Sequence, residues 1–139
     1  MDISNSLGFI LNKTNSKLKN ELLQHFKQYD VTPEQWGILN RLWDQEGLSP
    51  KELSELNYKD FPNTIRILEK LEKKELIIKK ENPLDKRSSL IFLTDKGRSL
   101  EHILPPLATQ ILKRALKGID KEKEQELKFL LNKIYSNLE

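Results

Sequence analysis

The fold is decided by the segment from Leu48 to Gly97, which reads LSPKELSELNYKDFPNTIRILEKLEKKELIIKKENPLDKRSSLIFLTDKG. Two helix starts lie in its first part. Ser49-Pro50-Lys51-Glu52 is a capping box with proline at the first helical position, and Asp60-Phe61-Pro62 puts a second proline at a helix start. The polar residues from Asn57 to Lys59 separate the two starts. The sequence therefore predicts two helices joined by a short turn.

The second of these helices, predicted from Phe61 to Lys74, has one apolar and one polar side. At about 100° per residue, Leu68 lies at the centre of the apolar side. Four residues flank it: Phe61, Thr64, Ile65 and Leu71. Four others fall on the opposite side: Asn63, Arg66, Lys70 and Lys73. Asparagine can pair with adenine, arginine with guanine and lysine with phosphates, so the polar side suits a DNA major groove. The alternative is a solvated helix face, because Glu69 and Glu72 on the flanks would repel phosphate.

A basic β-hairpin is predicted after this helix. Leu76–Ile78 and Leu90–Leu93 have the composition of strands, and Asn82-Pro83-Leu84-Asp85 between them is a turn signal. The loop from about Asn82 to Ser89 presents Lys86 and Arg87 beside Asp85. A carboxylate two residues away can hold the arginine in one rotamer and lower the entropy lost on binding. An arginine presented there is well placed for the minor groove next to a major-groove helix. The alternative is an ordinary surface hairpin whose ion pair contributes little.

Two helices followed by a basic hairpin are the parts of a winged helix-turn-helix, and their residues resemble the MarR (multiple antibiotic resistance regulator) family of bacterial transcription factors. The most specific part is Asp85-x-Arg87 followed six residues later by Leu93-Thr94-x-Lys96-Gly97. The other matching stretches are Leu48-Ser49-x-x-Glu52-Leu53, Asn63 to Lys74, Leu76-Ile77 and Asn82-Pro83. The flanking segments match in length, so the resemblance extends over essentially the whole chain.

The resemblance implies a homodimer with two winged helices, a palindromic operator in double-stranded DNA, and often a small effector bound near the junction with the dimerisation helices. Two positions depart from the family pattern. Glu75 stands where the family usually has glycine, and a left-handed backbone there would cost a non-glycine residue about 1 kcal/mol unless the turn is built differently. The recognition helix opens with Phe61-Pro62-Asn63, so base preferences cannot be taken from other members.

Composition limits the class of protein. The chain has 139 residues, of which 37% are hydrophobic and 32% charged, and its net charge is +3. This fits a single mainly helical domain that completes its core by dimerising. The segment from Lys59 to Arg98 holds eleven Lys and Arg against seven Asp and Glu, so the positive excess lies in the DNA-binding part. Cysteine is absent, which excludes disulfides and thiol-based redox sensing. Without a signal peptide pattern or an apolar run near 18 residues, we expect a cytoplasmic protein that is not inserted in a membrane, and the family resemblance implies a bacterial one.

Amphipathic helices are predicted on both sides of the winged part. An apolar stripe runs from about Ser4 to Tyr29, and Thr32-Pro33-Glu34-Gln35 is a capping box for the next helix. Thr94 is the N-cap candidate of a long helix that Pro105-Pro106 should kink or break, and Asp120 caps a last helix. We therefore expect one domain over residues 1–139, with dimerisation helices at 1–30 and 100–139 and a winged helix-turn-helix lobe at 31–99. An intramolecular helical bundle is the alternative.

Other kinds of site find little support. His25 and His102 are the two histidines, and without cysteine they make a weak case for a metal, so no cofactor or metal is expected. No phosphate-binding glycine loop or acid pair beside a nucleophile occurs, and we therefore expect no catalytic residue and no enzyme. Four residues around the first two helices are candidates for an effector pocket: His25, Tyr29, Trp36 and Trp43. Aromatic residues at helical spacing form core more often than pockets.

The sequence thus predicts a homodimeric, sequence-specific DNA-binding regulator, most simply a repressor. Asn63 and Arg66 are expected to read base edges, helped by Thr64. Lys70, Lys73 and Ser49 are expected to contact phosphates. Arg87 would enter the minor groove beside Lys86, with Asp85 orienting it. The alternative is a winged-helix module that binds protein without specific DNA binding, which would favour an acidic or apolar recognition face.

Overall fold

The structure is a computed structural model that describes residues 2–139, and it is mainly helical with one antiparallel hairpin. The fold class predicted from the sequence is confirmed. The elements follow the order α1 (Leu7–Phe26), α2 (Pro33–Asp44), α3 (Pro50–Leu56), α4 (Phe61–Lys73), β1 (Ile77–Glu81), β2 (Ser89–Leu93), α5 (Asp95–Ser99), α6 (Leu104–Ala115) and α7 (Lys121–Asn137). Short 3-10 turns lie at Ile3–Asn5, Lys27–Tyr29 and Leu100–His102.

The helix starts follow the predicted caps. Thr32 and Ser49 each form a complete capping box, in which the hydroxyl accepts the amide N–H three residues on and that residue's side chain accepts in return. Thr94 caps α5 and Asp120 caps α7, and both residues have an extended backbone conformation. Pro105-Pro106 breaks the predicted long helix, because a proline lacks the amide that a continuing helix needs. The chain instead starts a new helix, α6, at Leu104.

The chain divides into two compact units, one ending at Leu107 and the other comprising Ala108–Glu139. The first unit joins α1 and α2 to the helix-turn-helix and the hairpin. Its core is built from apolar side chains of these helices and strands: Phe26, Ile38, Leu39, Leu42, Leu53, Leu68, Leu71, Leu76, Ile77 and Ile91. In the second unit α7 buries no residue. The recognition elements therefore belong to a unit with its own core.

The hairpin is longer than predicted and has a third, minimal strand. Ile77 pairs with Leu93 and Glu81 with Ser89, so the basic residues after Ile78 lie inside β1 rather than beyond it. The N–H of Ile91 donates to the carbonyl of Leu48 over 2.9 Å, and the N–H of Gly47 donates to the carbonyl of Ile91 over 2.8 Å. The segment that leads into α3 is thereby tied to the hairpin.

The turn between α4 and β1 contains the residue that departs from the family pattern. Glu75 has a φ of 60°, so the left-handed conformation is retained without glycine. The N–H of Leu76 donates to the carbonyl of Leu71 and the N–H of Glu75 donates to that of Glu72, both over 3.0 Å. This is a Schellman motif, which satisfies the last carbonyls of the helix. The sequence left open whether residue 75 is left-handed or the turn is built differently, and the structure has the strained, left-handed turn.

Gly97 marks a close approach between α5 and the start of the hairpin. A Cβ atom there would overlap the carbonyl of Leu76, so the position admits only glycine without a backbone shift. The carbonyl of Gly97 accepts the indole N–H of Trp43 over 2.9 Å. The close approach to the carbonyl of Leu76 explains the glycine that closes the Leu93-Thr94-x-Lys96-Gly97 motif.

Candidate nucleic-acid interface

The buried side of α4 is rotated from the predicted one. Ile67 is 7% exposed and joins Thr64, Leu68 and Leu71 in the core, whereas Phe61 is 49% exposed. The expectation that Phe61 belongs to the buried side is therefore wrong. Ile67 lies about 120° around the helix from Phe61, so the buried side is turned away from the first residue of α4. Three of the four predicted polar residues, Arg66, Lys70 and Lys73, are exposed, and Asn63 is half-buried.

The two candidate base-reading residues contact each other. A guanidinium N–H of Arg66 donates to Oδ1 of Asn63 over 3.3 Å. The backbone N–H of Asn63 donates to Oδ1 of Asp60 over 2.7 Å, so the first turn is also capped. An amide oxygen has two lone pairs and the side-chain NH2 of Asn63 keeps its donors, so the pair still offers donors and an acceptor to a base edge. The contact limits the rotamers of both side chains before any ligand binds.

Thr64 is unsuited to the base-reading role predicted for it. Its side chain is fully buried, and its hydroxyl donates to the carbonyl of Asp60 over 3.0 Å. The prediction that it helps to read bases is therefore wrong, although its place on the apolar side is confirmed. A threonine hydroxyl that bonds the carbonyl four residues back satisfies itself within the helix. Thr64 thus packs into the core at the start of α4 instead of facing a ligand.

The predicted phosphate-binding residues lie on two helices. Ser49 is half-buried at the start of α3, where its oxygen accepts the N–H of Glu52 over 3.1 Å, and that bond leaves its own proton as a donor. Lys70 and Lys73 are exposed along α4. Lys74, the next residue, is drawn inward instead: its ammonium donates to the carbonyl of Asp30 over 2.7 Å and to Gln35 over 2.8 Å. The basic side of α4 therefore ends at Lys73.

The hairpin loop has two successive Asx turns. Oδ1 of Asn82 accepts the N–H of Leu84, and Oδ1 of Asp85 accepts the N–H of Arg87, each over 3.0 Å. The same carboxylate oxygen lies 3.3 Å from Nε of Arg87, whose side chain is 92% exposed. Lys86 between them is exposed. Asp85 thus contacts both the backbone and the guanidinium of Arg87, the geometry expected of a residue that orients it.

Glu46 and Arg98 form an ion pair beside the end of β2, and neither residue was predicted from the sequence. Oε1 of Glu46 accepts the N–H of Leu93 over 2.8 Å and lies 3.1 Å from Arg98, which also donates to Oε2 over 3.2 Å. Partial burial by itself would raise the pKa of Glu46, but the hydrogen bonds from Arg98 and Leu93 outweigh it and lower that pKa below its ordinary value. The partners are 52 residues apart, so no local spacing signals the pair.

The four candidate effector residues do not form a single group. Trp43 is held by its bond to Gly97, and His25 is exposed, with Nδ1 2.8 Å from the carbonyl of Glu21. Trp36 packs on Phe26 with ring centroids 5.6 Å apart. His25 and Trp36 line two different cavities. The expectation of one cluster of His25, Tyr29, Trp36 and Trp43 is therefore wrong, because Trp43 lies about two helical turns beyond Trp36 along α2 and reaches Gly97 instead.

The cavity beside Trp36 has a volume of about 340 Å³ and lies between α1, α2 and the turn after α3. The indole N–H of Trp36 is buried without a hydrogen-bond partner. Three cationic side chains line the cavity, Lys19, Arg41 and Lys59, against the carboxylate of Glu34. Burial would raise the pKa of Glu34, but its own backbone N–H and the adjacent Lys19 ammonium, 3.3 Å away, lower it. Glu34 is therefore ionised and the cavity carries a positive excess.

Within residues 2–139, no group of three or more histidine and acidic side chains is arranged to hold a metal ion. The helices that the structure describes include none with the length and apolar character needed to cross a bilayer.

Comparison with known proteins agrees with this geometry. The model of the MarR family matches residues 31–89. The organic hydroperoxide resistance transcriptional regulator of Bacillus subtilis (strain 168) is 29% identical over 139 residues, which covers 100% of this chain and 91% of that protein. The repressor CouR bound to a 23-mer DNA duplex is 26% identical with a TM-score of 0.86, covering 96% of this chain and 95% of its own. A mutant of MarR from E. coli, complexed with operator DNA, is 25% identical with a TM-score of 0.86, covering 92% of each chain.

Proposed function

Because the chain belongs to the MarR family of transcriptional regulators, we propose that it is a homodimeric repressor that binds a palindromic operator and blocks transcription there. The observation that carries the proposal is one compact unit with a hydrogen-bonded Asn63–Arg66 pair on its recognition helix and a wing whose Arg87 is held by Asp85. Two of the similar solved structures, CouR and mutant MarR, are DNA complexes. Such a unit can contact both grooves of a duplex at once.

The predicted DNA-binding residues other than Thr64 each have a role in this proposal. Asn63 and Arg66 read base edges in the major groove. Lys70, Lys73 and the Ser49 hydroxyl bind phosphates, which fixes the position of α4 on the duplex. Arg87 enters the adjacent minor groove, where negative potential is strongest, and Lys86 adds charge at its edge. Asp85 limits the rotamers of Arg87, so less side-chain entropy is lost on binding.

Dimerisation is proposed because each unit exposes apolar helical surface. At the start of the first unit the exposed apolar residues are Ile3, Leu7, Phe9, Ile10 and Leu11. On α7 and its C-cap they are Leu127, Phe129, Leu130, Leu131, Tyr135 and Leu138. Surfaces of this kind are what a second copy of the chain would cover. A two-fold symmetric dimer places two recognition helices about one DNA turn apart, roughly 34–36 Å.

We further propose that a small molecule releases the DNA by binding in the cavity beside Trp36. Its volume lies within the usual range for ligand sites, and its lining combines the Trp36 ring with cationic side chains. Lys59 and Tyr58 of the α3–α4 turn line the same cavity, so an occupant would favour one arrangement of the recognition helix over another. The expected effect is a change in the spacing or tilt of the two wings. Ligand-dependent fluorescence of Trp36, compared in the Trp43→Phe and Trp36→Phe variants, tests this part.

The DNA-binding part is tested by measuring duplex affinity as a function of salt. About six to ten phosphate contacts should weaken binding by roughly a thousandfold or more between 50 and 200 mM salt. Lys73→Ala should reduce the slope of log affinity against log salt by about one for each subunit. Lys17→Ala, on α1, removes the same charge and should leave the slope unchanged. A protein that binds no duplex at low salt would instead be a winged-helix module for protein partners.

A further inference from the structure

The recognition helix opens with an apolar edge that the protein leaves uncovered. Phe61 is 49% exposed, Pro62 is exposed and Ile65 is half-buried. At about 100° per residue, Phe61 and Ile65 lie roughly 40° apart around the helix, Pro62 roughly 60° beyond Ile65, and Arg66 roughly 40° beyond Pro62. The apolar edge therefore borders directly on a residue proposed to read bases.

The edge is held rigidly. Asp60 caps the helix through the N–H of Asn63 at 2.7 Å, and its carbonyl accepts the buried Thr64 hydroxyl at 3.0 Å. Pro62 has a fixed φ and stands at the start of the helix. Phe61 lies between the Asp60 cap and the Pro62 ring, so its backbone has little freedom. An exposed phenyl group on such a frame can make apolar contact with small loss of entropy.

In the helix-turn-helix arrangement, the N-terminal residues of the recognition helix contact base edges. The major-groove edges of the four bases carry donors and acceptors, and among them only thymine also presents an apolar group, the 5-methyl. We propose that Phe61 and Pro62 contact thymine 5-methyl groups and so select thymine beside the base that Arg66 reads. This inference rests on the proposed DNA-binding function and adds a specificity that the polar residues of α4 do not provide.

The test removes the methyl group from the DNA instead of changing the base pair. Starting from a high-affinity duplex, each thymine in one half-site is replaced in turn by deoxyuridine, which keeps its Watson–Crick pairing. The wild-type protein should lose about fourfold in affinity at one or two thymines, the effect expected for one methyl group returned to water. In Phe61→Ala or Pro62→Ala the affinities for thymine and deoxyuridine at those sites should become equal. Phe61→Leu, which keeps an apolar side chain, should retain part of the difference.

Controls separate this contact from a general weakening. Arg66→Ala should bind less tightly and still distinguish thymine from deoxyuridine, and circular dichroism checks that each variant is folded. The inference is overturned if no thymine replacement weakens wild-type binding, or if the full difference persists in both Phe61→Ala and Pro62→Ala. Either result leaves the proposed function intact provided that the wild type binds the duplex. If the wild type binds no duplex, the proposed function fails and this inference fails with it.

Discussion

Replacing Glu75 with glycine should stabilise the protein, which is unusual for a substitution that removes a side chain. Glu75 holds a φ of 60° in the turn between the recognition helix and the wing. A left-handed backbone costs a residue with a Cβ roughly 1–2 kcal/mol, and glycine avoids that strain. Glycine also makes the unfolded chain more flexible, which offsets part of the gain. The net stabilisation expected for Glu75→Gly is therefore about 1 kcal/mol per chain.

The assay is urea unfolding at a fixed protein concentration, because the stability of a dimer depends on concentration. A gain of about 1 kcal/mol should raise the midpoint with an unchanged slope, and should raise the melting temperature by roughly 4 °C. Glu75→Gln removes the charge while keeping the Cβ, and should change stability by less than about 0.5 kcal/mol. Glu69→Gly, inside α4, should instead lose about 1 kcal/mol.

An unchanged or lowered urea midpoint for Glu75→Gly would refute the claim that the left-handed backbone at Glu75 is strained. The claim would also be refuted if Glu75→Gln stabilised the protein as much as Glu75→Gly, because the gain would then come from the charge. The Schellman hydrogen bonds at Leu76 and Glu75 do not use the Glu75 side chain, so the turn geometry should be the same in the wild type, Glu75→Gly and Glu75→Gln.

Three further predictions follow from the site. Arg66→Ala should relax the preference at one base-pair position in each half-site, costing about 1–3 kcal/mol there, and equal discrimination among operator variants would exclude its base-reading role. Arg87→Ala should weaken binding to all duplexes, and Asp85→Ala should do so less strongly; a loss confined to one base-pair position would argue against a minor-groove role, because that groove distinguishes little beyond A·T from G·C. Because the pKa of Glu46 is lowered, its contribution to stability is complete above its ordinary pKa near 4.5. The contribution disappears as the pH falls through the lowered value. The melting temperatures of wild type and Glu46→Gln should therefore converge in acid.

The relative from Bacillus subtilis suggests a test by contrast. That protein is an organic hydroperoxide resistance regulator, whereas this chain has no cysteine. Since the thiolate is the side chain that peroxides oxidise to a reversible sulfenic acid, this protein lacks that route of response. Organic hydroperoxide should leave its DNA affinity unchanged in a gel-shift titration. Reversible release of the DNA by hydroperoxide, undone by a thiol reductant, would contradict this expectation.

The features that the sequence could predict depend on interactions between residues that are close together in the chain. The capping boxes at Thr32 and Ser49 involve residues three apart, and the Asx turn that positions Arg87 spans two. Such signals survive in the linear sequence because the partners are always neighbours. The left-handed turn at Glu75 was likewise one of two alternatives that the local pattern allowed.

What it could not predict depended on packing between distant segments. The buried side of α4 was misplaced because a helical projection does not show which neighbours reach each turn: Phe61 in the first turn is exposed, and Ile67 in the second is buried. Glu46 meets Arg98 across 52 residues and Trp43 meets Gly97 across 54, so both contacts require the folded chain. The same reason separated Trp43 from the cavity beside Trp36.

Selection of bound sequences from a random duplex pool tests the central claim most directly. If two identical recognition helices read DNA, the enriched duplexes should be two-fold symmetric, with half-site centres about one helical turn, roughly 34–36 Å, apart. Asp85→Ala should enrich the same sequences more weakly. Enrichment of no duplex, or of a single half-site without its symmetric partner, would contradict the account.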